Sequence, residues 1–352
     1  MATLAKIDLY DNAANWKGCE IASATEWHTY LTSVHIAELK QAVDLTIKQG
    51  LSIADIKQDY FPLPTLGIEL KRIYDEVIHG RGFAVLHNMP VDEFGREEII
   101  RAYIGLGIWL GEPVSQNHKG HIVGHVKDIG ADPKNKLNRT YTTSAKQPYH
   151  TDSADMAALM CLKPPKSGGI FSISSIVAIY NEMQKTRPDL VEVLEQNYIF
   201  DRKGEIPEGK KATYEMPVFH RYKGRLLSML DRNFIDAALE REDVPRLTPK
   251  QEKALDLFGE IAAREDFCIN MQWQAGDIGL VHNHTTVHAR TDYEDFDDFN
   301  LRRHLIRLWL STNYGWELPP VFAERYGAIA QGQKRGGIIV PGMKLTCPLE
   351  AE

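Results

Sequence analysis

At 352 residues, with 43% hydrophobic and 25% charged side chains, the chain can bury a full core and has the balance of a globular protein rather than a disordered or fibrous one. A formal charge of −7 offers no footprint for a polyanion, so the expected partner is a small-molecule substrate, not nucleic acid and not a membrane. The first residues show no basic stretch followed by an apolar run. Cys19, Cys161, Cys268 and Cys347 form no Cys-x-x-Cys pair, so buried thiols in a reducing, cytoplasmic setting are expected rather than disulfides or a zinc knuckle.

Near the N-terminus Ile36, Leu39, Val43 and Ile47 recur at helical spacing, with Gly50 as a cap. A second helix carries the stripe Leu66, Leu70, Ile73 and Val77. It ends at His79-Gly80-Arg81-Gly82, before the strand-like Phe83-Ala84-Val85-Leu86. The apolar patch Ile104 to Leu110 is short and broken by glycines, too short to span a membrane. From about residue 150 the pattern turns to short β-prone runs: Met156–Leu162, Gly169–Ile176, Pro217–Tyr222, Arg225–Met229, Cys268–Trp273, Ile278–His282 and Arg302–Leu310. Lys223-Gly224 and Gln274-Ala275-Gly276-Asp277 read as hairpin turns between neighbouring runs. One helix interrupts the series, with Thr248 as N-cap, Pro249 at the first position, Gln251 closing a capping box and Leu255, Phe258 and Ile261 as its buried stripe. No linker or fixed-period repeat appears, so a single β-sandwich or barrel with helical cladding is expected.

Three elements carry chemistry. In Tyr149-His150-Thr151-Asp152 a His and a carboxylate stand two residues apart, and on an extended strand such residues project from one face. With 13 histidines in the chain this triplet alone is weak evidence, the alternative being a surface strand end with a His–Asp hydrogen bond. Downstream, His282, His284 and His288 compete as a third ligand; His288 opens the segment after a turn, from which it can reach the same point. Two imidazoles and a carboxylate leave about three positions open on a metal, the pattern of non-haem Fe(II) oxygenases, although zinc accepts the same ligands. In Arg302–Leu310, alternation sets Arg303, Leu305, Arg307 and Trp309 on one face and His304, Ile306, Leu308 and Leu310 on the other. If the second face packs on helices, two guanidinium groups point inward. They then need an anion: a dicarboxylate cosubstrate, or a structural Asp or Glu.

With His150-Thr151-Asp152, Ser167-Gly168-Gly169, Asn283 with His288 five residues on, and then Arg303 and Arg307, the sequence resembles the taurine dioxygenase and TfdA-like family of Fe(II)/2-oxoglutarate-dependent oxygenases, in a clavaminate-synthase-type branch. Gly80-Arg81-Gly82-Phe83 extends the resemblance upstream, which implies an oxygenase domain over residues 61–352 and a helical extension over residues 1–60 packed on it. The implied fold is α+β with a mainly β core, a double-stranded β-helix (jelly roll) surrounded by helices. The resemblance makes His150, Asp152 and His288 the catalytic iron ligands, in preference to His282 or His284. It gives Arg303 the distal carboxylate of 2-oxoglutarate and sets Arg307 beside it, toward cosubstrate or an anionic substrate. One position departs from the family: where relatives carry Thr or Ser to hold 2-oxoglutarate this chain has Phe171, and Ser172 should face the other way.

Asn117, within Val114–His118, and Tyr149 are candidate substrate contacts with Arg307, and Tyr141 is a candidate pocket residue. The alternatives are a solvated loop and half-buried packing. The implied reaction couples oxidative decarboxylation of 2-oxoglutarate by O2, giving succinate and CO2, to oxidation of an unactivated C–H of a small, anionic substrate. Because Asp152 supplies a carboxylate ligand, hydroxylation is favoured over halogenation, with desaturation or oxidative cyclisation as alternatives. A non-redox zinc hydrolase or a cupin-type binding protein is the alternative of another class; it has no use for two inward arginines. No oligomeric state follows, since a surface helix and a subunit-contact helix share one kind of stripe.

Overall fold

The strands Met156–Lys163 and His304–Ser311 pair antiparallel along nearly their whole length, and every residue of both except Lys163 is buried. Near-continuous apolar runs of this kind belong to strands covered on both faces. They form the spine of a seven-stranded sheet in the computed structural model, which describes residues 9–132, 135 and 139–352. The sheet order is His28–Tyr30, Phe83–His87, Ile278–His282, Met156–Lys163, His304–Ser311, Glu112–Val114, with Val123–Val126 also paired to His304–Ser311. Only the first pair is parallel. A second, four-stranded antiparallel sheet runs Cys268–Met271, Phe171–Ser175, Thr286–Arg290, Gln147–His150.

Side-chain alternation sorts the core into layers. Leu159, Cys161, Val281, Leu305 and Trp309 of the large sheet share one cluster with Phe171, Ile173 and Ile269 of the small one. Ala158, Met160, Ile306, Leu308 and Leu310 point the other way, under the helices Ser33–Lys48, Leu66–Ile78 and Arg96–Leu110. A third cluster joins Val287 of the small sheet to the helices Ile176–Thr186, Pro188–Leu194 and Pro249–Ala262. The two-residue period of the last strand therefore does place Arg303 and Arg307 on the side facing the small sheet, as read from the sequence.

Most expected elements form where their patterns lie. Thr248 caps Pro249–Ala262 and closes the box with Gln251, a device worth about 1 kcal/mol. Lys223 and Gly224 turn the hairpin Phe219–Tyr222/Arg225–Ser228 with φ of 48° and 74°. In the first long helix the buried face runs through Leu39, Ala42, Val43 and Thr46, leaving Ile47 exposed.

Three expectations need correction, and one patch that is rightly read as too short for a membrane takes a form its pattern does not announce. The turn at Gln274–Asp277 is not a hairpin: Cys268–Met271 and Ile278–His282 belong to different sheets, and the turn carries the chain from one to the other. The run Pro217–Tyr222 divides, because Thr213–Pro217 pairs with Asn197–Asp201 instead. The glycine-broken patch Ile104–Leu110 is the second half of the helix Arg96–Leu110; its glycines admit neighbours, since a Cβ at Gly105 would stand 2.2 Å from the Phe61 ring and one at Gly107 2.6 Å from Leu308. All four cysteines are free, but Cys19 is exposed, on a short helix that buries only Gly18. The first eight residues, with the start that bears on targeting, lie outside the described residues; among these no helix is long and apolar enough to cross a membrane.

Candidate metal centre

His150 ends its strand directly opposite His288 in the neighbouring strand, and the two rings stand 4.3 Å apart. Asp152 follows beyond the strand end, its carboxylate oxygens 3.9 Å from His150 Nε2 and 3.8 Å from His288 Nε2. All three are buried, with ligand atoms within 4.8 Å of one another, and among the described residues no other group of His, Cys, Asp and Glu converges in this way.

Local structure holds each ligand. Thr151, between the two upstream ligands, is stitched to Leu230: its N–H donates to the Leu230 carbonyl at 2.7 Å, and its hydroxyl accepts from the Leu230 N–H at 3.0 Å. The Asn283 carboxamide accepts from the Asp152 N–H and donates to the Ala154 carbonyl, both at 2.9 Å, so the turn before the third ligand fixes the loop of the second. His150 Nδ1–H donates to the Pro148 carbonyl at 2.9 Å, which leaves Nε2 with its lone pair toward the cluster. Burial, and then the neighbouring His150, push His288 down to about 3, so its imidazole stays neutral, the form that binds a metal. Burial alone would raise the Asp152 carboxyl; Arg307, His288 and His150 outweigh it and hold it below the ordinary range.

The rival histidines are engaged elsewhere. His282 Nδ1 lies 3.0 Å from the Thr285 hydroxyl, and its ring meets Trp316 edge-on at 4.8 Å. His284 Nε2–H donates to Asp155 at 3.1 Å, in a buried network that Arg335 and Thr312 complete.

The two inward arginines behave differently. Arg307 is already paired: Nη1 donates to both Asp152 oxygens at 3.2 and 3.4 Å, and Nε donates to Gln116 Oε1 at 2.8 Å. Arg303, only 4% exposed, keeps Nη1 without a hydrogen-bond partner. It lies 5.0 Å over the Tyr293 ring, and Arg290 approaches the same ring at 4.8 Å with its own Nε unpartnered. Two buried cations with orphaned donors around one tyrosine demand an anion. Burial, with Arg303 nearby, already pushes Arg290 down to about 10. The pair Gly168-Gly169, at φ of 72° and 66°, makes the turn beside them, and a Cβ at Gly169 would come within 3.3 Å of Arg303 Nε.

Residues 48–309 match the family described as Taurine catabolism dioxygenase TauD, TfdA family. The chain belongs to this family. It is a non-haem Fe(II)/2-oxoglutarate-dependent dioxygenase, and its cofactor and cosubstrates are Fe(II), 2-oxoglutarate and O2. Among similar proteins, "FR-33289 synthase" of Streptomyces rubellomurinus is 32% identical over 86% of this chain and 91% of its own length. "Taurine hydroxylase-like protein SAT17" of Stachybotrys chartarum is 29% identical over 87% and 80%. In fold, the chain resembles an asparagine oxygenase solved with Fe(II), 2S,3S-3-hydroxyasparagine and succinate, with a TM-score of 0.64 at 16% identity, covering 81% of this chain and 94% of that one. It also resembles the non-heme iron oxygenase OrfP solved with Fe and alpha-ketoglutaric acid, with a TM-score of 0.59 at 16% identity, covering 82% and 95%.

Against the TauD/TfdA pattern, Phe171 does face inward, packed on Trp273 at 4.7 Å and over His288 at 5.7 Å, while Ser172 turns outward to Asn270. Of the candidate substrate contacts, Arg307 lines the cavity beside His150 and Asp152, as does the candidate pocket residue Tyr141. Asn117 does not: its amide meets His121 Nδ1 at 3.1 Å in a neighbouring cavity, and it is Gln116 that reaches Arg307. Tyr149 lies on the other side of its strand, against Leu255 and Asp256. Sequence reasoning had Gln116 within its candidate segment Val114–His118 but singled out its neighbour; it missed Arg290, Lys203 and Asp231, of which the last two line the cavity. A cavity of about 860 Å³ lies away from the cluster, between Tyr74, Trp109 and Tyr314, and among the His, Cys, Asp and Glu types only Asp75 lines it.

Proposed function

We propose that His150, Asp152 and His288 hold Fe(II), that Arg303 takes the distal carboxylate of 2-oxoglutarate with Arg290 beside it, and that the enzyme hydroxylates an unactivated C–H of a small, anionic substrate. The observation that carries this reading is the contrast between the arginines: Arg307 has its anion in Asp152, whereas Arg303 is buried with an orphaned donor. The residues fit the metal and cosubstrate. They offer two imidazoles, that of His288 held neutral, a carboxylate held ionised and a buried pair of cations that makes no ion pair among the described residues.

When bound, the iron and 2-oxoglutarate supply the oxidising power, with succinate and CO2 as coproducts. The protein positions. Arg307 keeps the Asp152 carboxylate charged and oriented; Asn283 holds its backbone; Phe171 and Trp273 close the inner wall against water. With no hydroxyl available from Phe171, the distal carboxylate falls to the two guanidinium groups around Tyr293. The shared core between the two sheets supports the reading of a double-stranded β-helix. Residues 61–352 are then the oxygenase domain, and the extension over residues 1–60 is not purely helical, since it adds the strand His28–Tyr30 to the large sheet.

The test is succinate release across a panel of amino acids, sulfonates and small carboxylates, with the product examined under 18O2. Hydroxylation places one labelled oxygen in the product per succinate. A product short of two hydrogens and free of label overturns it in favour of desaturation or cyclisation.

A further inference from the structure

The cavity that opens on His150 and Asp152 is charged, and its charges sort into pairs with two left over. Arg139 pairs with Glu205, and Arg307 with Asp152. Lys203 and Asp231 line the same cavity, and among the described residues neither makes an ion pair.

Both are held there by the backbone. Asp231 follows Leu230, the residue stitched to Thr151 between two of the candidate ligands, so its distance from the metal centre is set by hydrogen bonds. It is 8% exposed; Oδ1 accepts the Asn233 N–H at 3.0 Å, and Oδ2 has no hydrogen bond among the described residues. Lys203 stands at the turn after Asn197–Asp201 with φ of 50°, a left-handed conformation that costs a side chain about 1 kcal/mol and that Gly204, at 78°, adopts freely. The strained position carries its ammonium over the Phe234 ring at 5.0 Å, and Arg139 lies 5.1 Å from the same ring.

A simple anion fits this cavity poorly. Bound at Lys203 it would lie beside the buried Asp231 carboxylate and compete with it for the charge of Lys203, and Arg307 is already consumed by Asp152 and Gln116. A ligand carrying both charges satisfies both groups. We propose that Lys203 and Asp231 form a two-point recognition site for a zwitterionic substrate: a carboxylate or sulfonate on Lys203 and a protonated amine on Asp231, in the cavity that His150 and Asp152 also line. This rests on the iron-oxygenase reading above and adds to it the charge type of the substrate and the two side chains that select it.

The experiment measures anaerobic binding of glycine, L-asparagine, L-arginine and taurine to protein loaded with Fe(II) and 2-oxoglutarate, by calorimetry and by the shift of the visible band. Each is compared with its N-acetyl form, and the amino acids also with their α-amides. Wild type should prefer at least one zwitterion about tenfold or more over both neutralised forms, the discrimination that one charge-assisted contact supports. Asp231→Asn should abolish the discrimination against N-acetylation and keep that against the amide; Lys203→Met should do the reverse. A band at wild-type intensity in both variants shows that they are folded and loaded. Indifference of wild type to either modification, equal weakening of every probe by both variants, or no binding of any zwitterion overturns the proposal. Absence of the band in wild type overturns the iron reading itself, and this inference with it.

Discussion

Arg307 donates to both carboxylate oxygens of Asp152, at 3.2 and 3.4 Å, and both residues are less than a tenth exposed. Without metal, this guanidinium is the main compensation for a carboxylate that burial alone would protonate. Replacing Arg307 with Met should therefore destabilise the metal-free protein by about 3–5 kcal/mol, the usual result of stripping one partner from a buried pair. Mn(II) should recover part of that loss by supplying the missing positive charge. Urea unfolding with and without Mn(II) checks this, and an identical loss in both conditions contradicts it.

Arg303→Ala separates cosubstrate binding from metal binding. Among the described residues no hydrogen bond or ion pair links the Arg303 side chain to His150, Asp152 or His288, and its Nη1 is orphaned, so its loss should leave the stoichiometry of Fe(II) unchanged. The 2-oxoglutarate concentration at half-saturation should rise about 10- to 100-fold, the worth of a charge-assisted hydrogen bond. An unchanged requirement would transfer the role to Arg307.

Asn283 is the only described side chain that bonds the Asp152 N–H, and it also ties down Ala154. Asn283→Ala leaves a buried donor and a buried acceptor unmet, which should cost about 2–4 kcal/mol. It should also weaken Mn(II) binding, because the carboxylate is no longer held. Calorimetric metal titration beside thermal unfolding distinguishes this from simple destabilisation: retention of wild-type metal affinity in the folded variant contradicts a positioning role.

The Asp155 network gives a pH signature. Burial alone would raise the Asp155 carboxyl, but the His284 hydrogen bond and the Arg335 charge outweigh it and hold it far below the ordinary range. A depressed folded value means stability that is fully present above the unfolded carboxylate pKa of about 4 and is lost as pH falls from there toward the folded value. Asp155→Asn should thus be about 3 kcal/mol less stable than wild type at pH 7, with the gap narrowing below about pH 4. Denaturant midpoints across that range test it; a gap independent of pH contradicts it.

How much of this was legible follows from where periodicity speaks. The stripe Leu66, Leu70, Ile73, Val77 and the cap at Thr248 announce their helices because those helices bury a single face. Arg96–Leu110 is buried on most sides and carries Gly105 and Gly107 for close packing, so it shows neither a stripe nor helical composition. At the site, the two-residue period turned Arg303 and Arg307 inward correctly. It could not say which anion each meets, since Asp152 arrives from a distant part of the chain.

The same rule works against Tyr149 and Asn117. Alternation that aims His150 inward sends Tyr149 outward, and Gln116, not its neighbour, reaches Arg307. Lys203 and Asp231 left no pattern at all: one sits at a left-handed turn and the other at a helix cap, places where polar residues are ordinary.

The most direct measurement is anaerobic titration of the protein with Fe(II) and 2-oxoglutarate, followed in the visible region. The account predicts a weak charge-transfer band saturating at one iron per chain, retained in His282→Gln and lost in His288→Ala. A wild-type protein that shows no band, or a His288→Ala variant that keeps it at full intensity, contradicts the assignment of His150, Asp152 and His288 as the iron site.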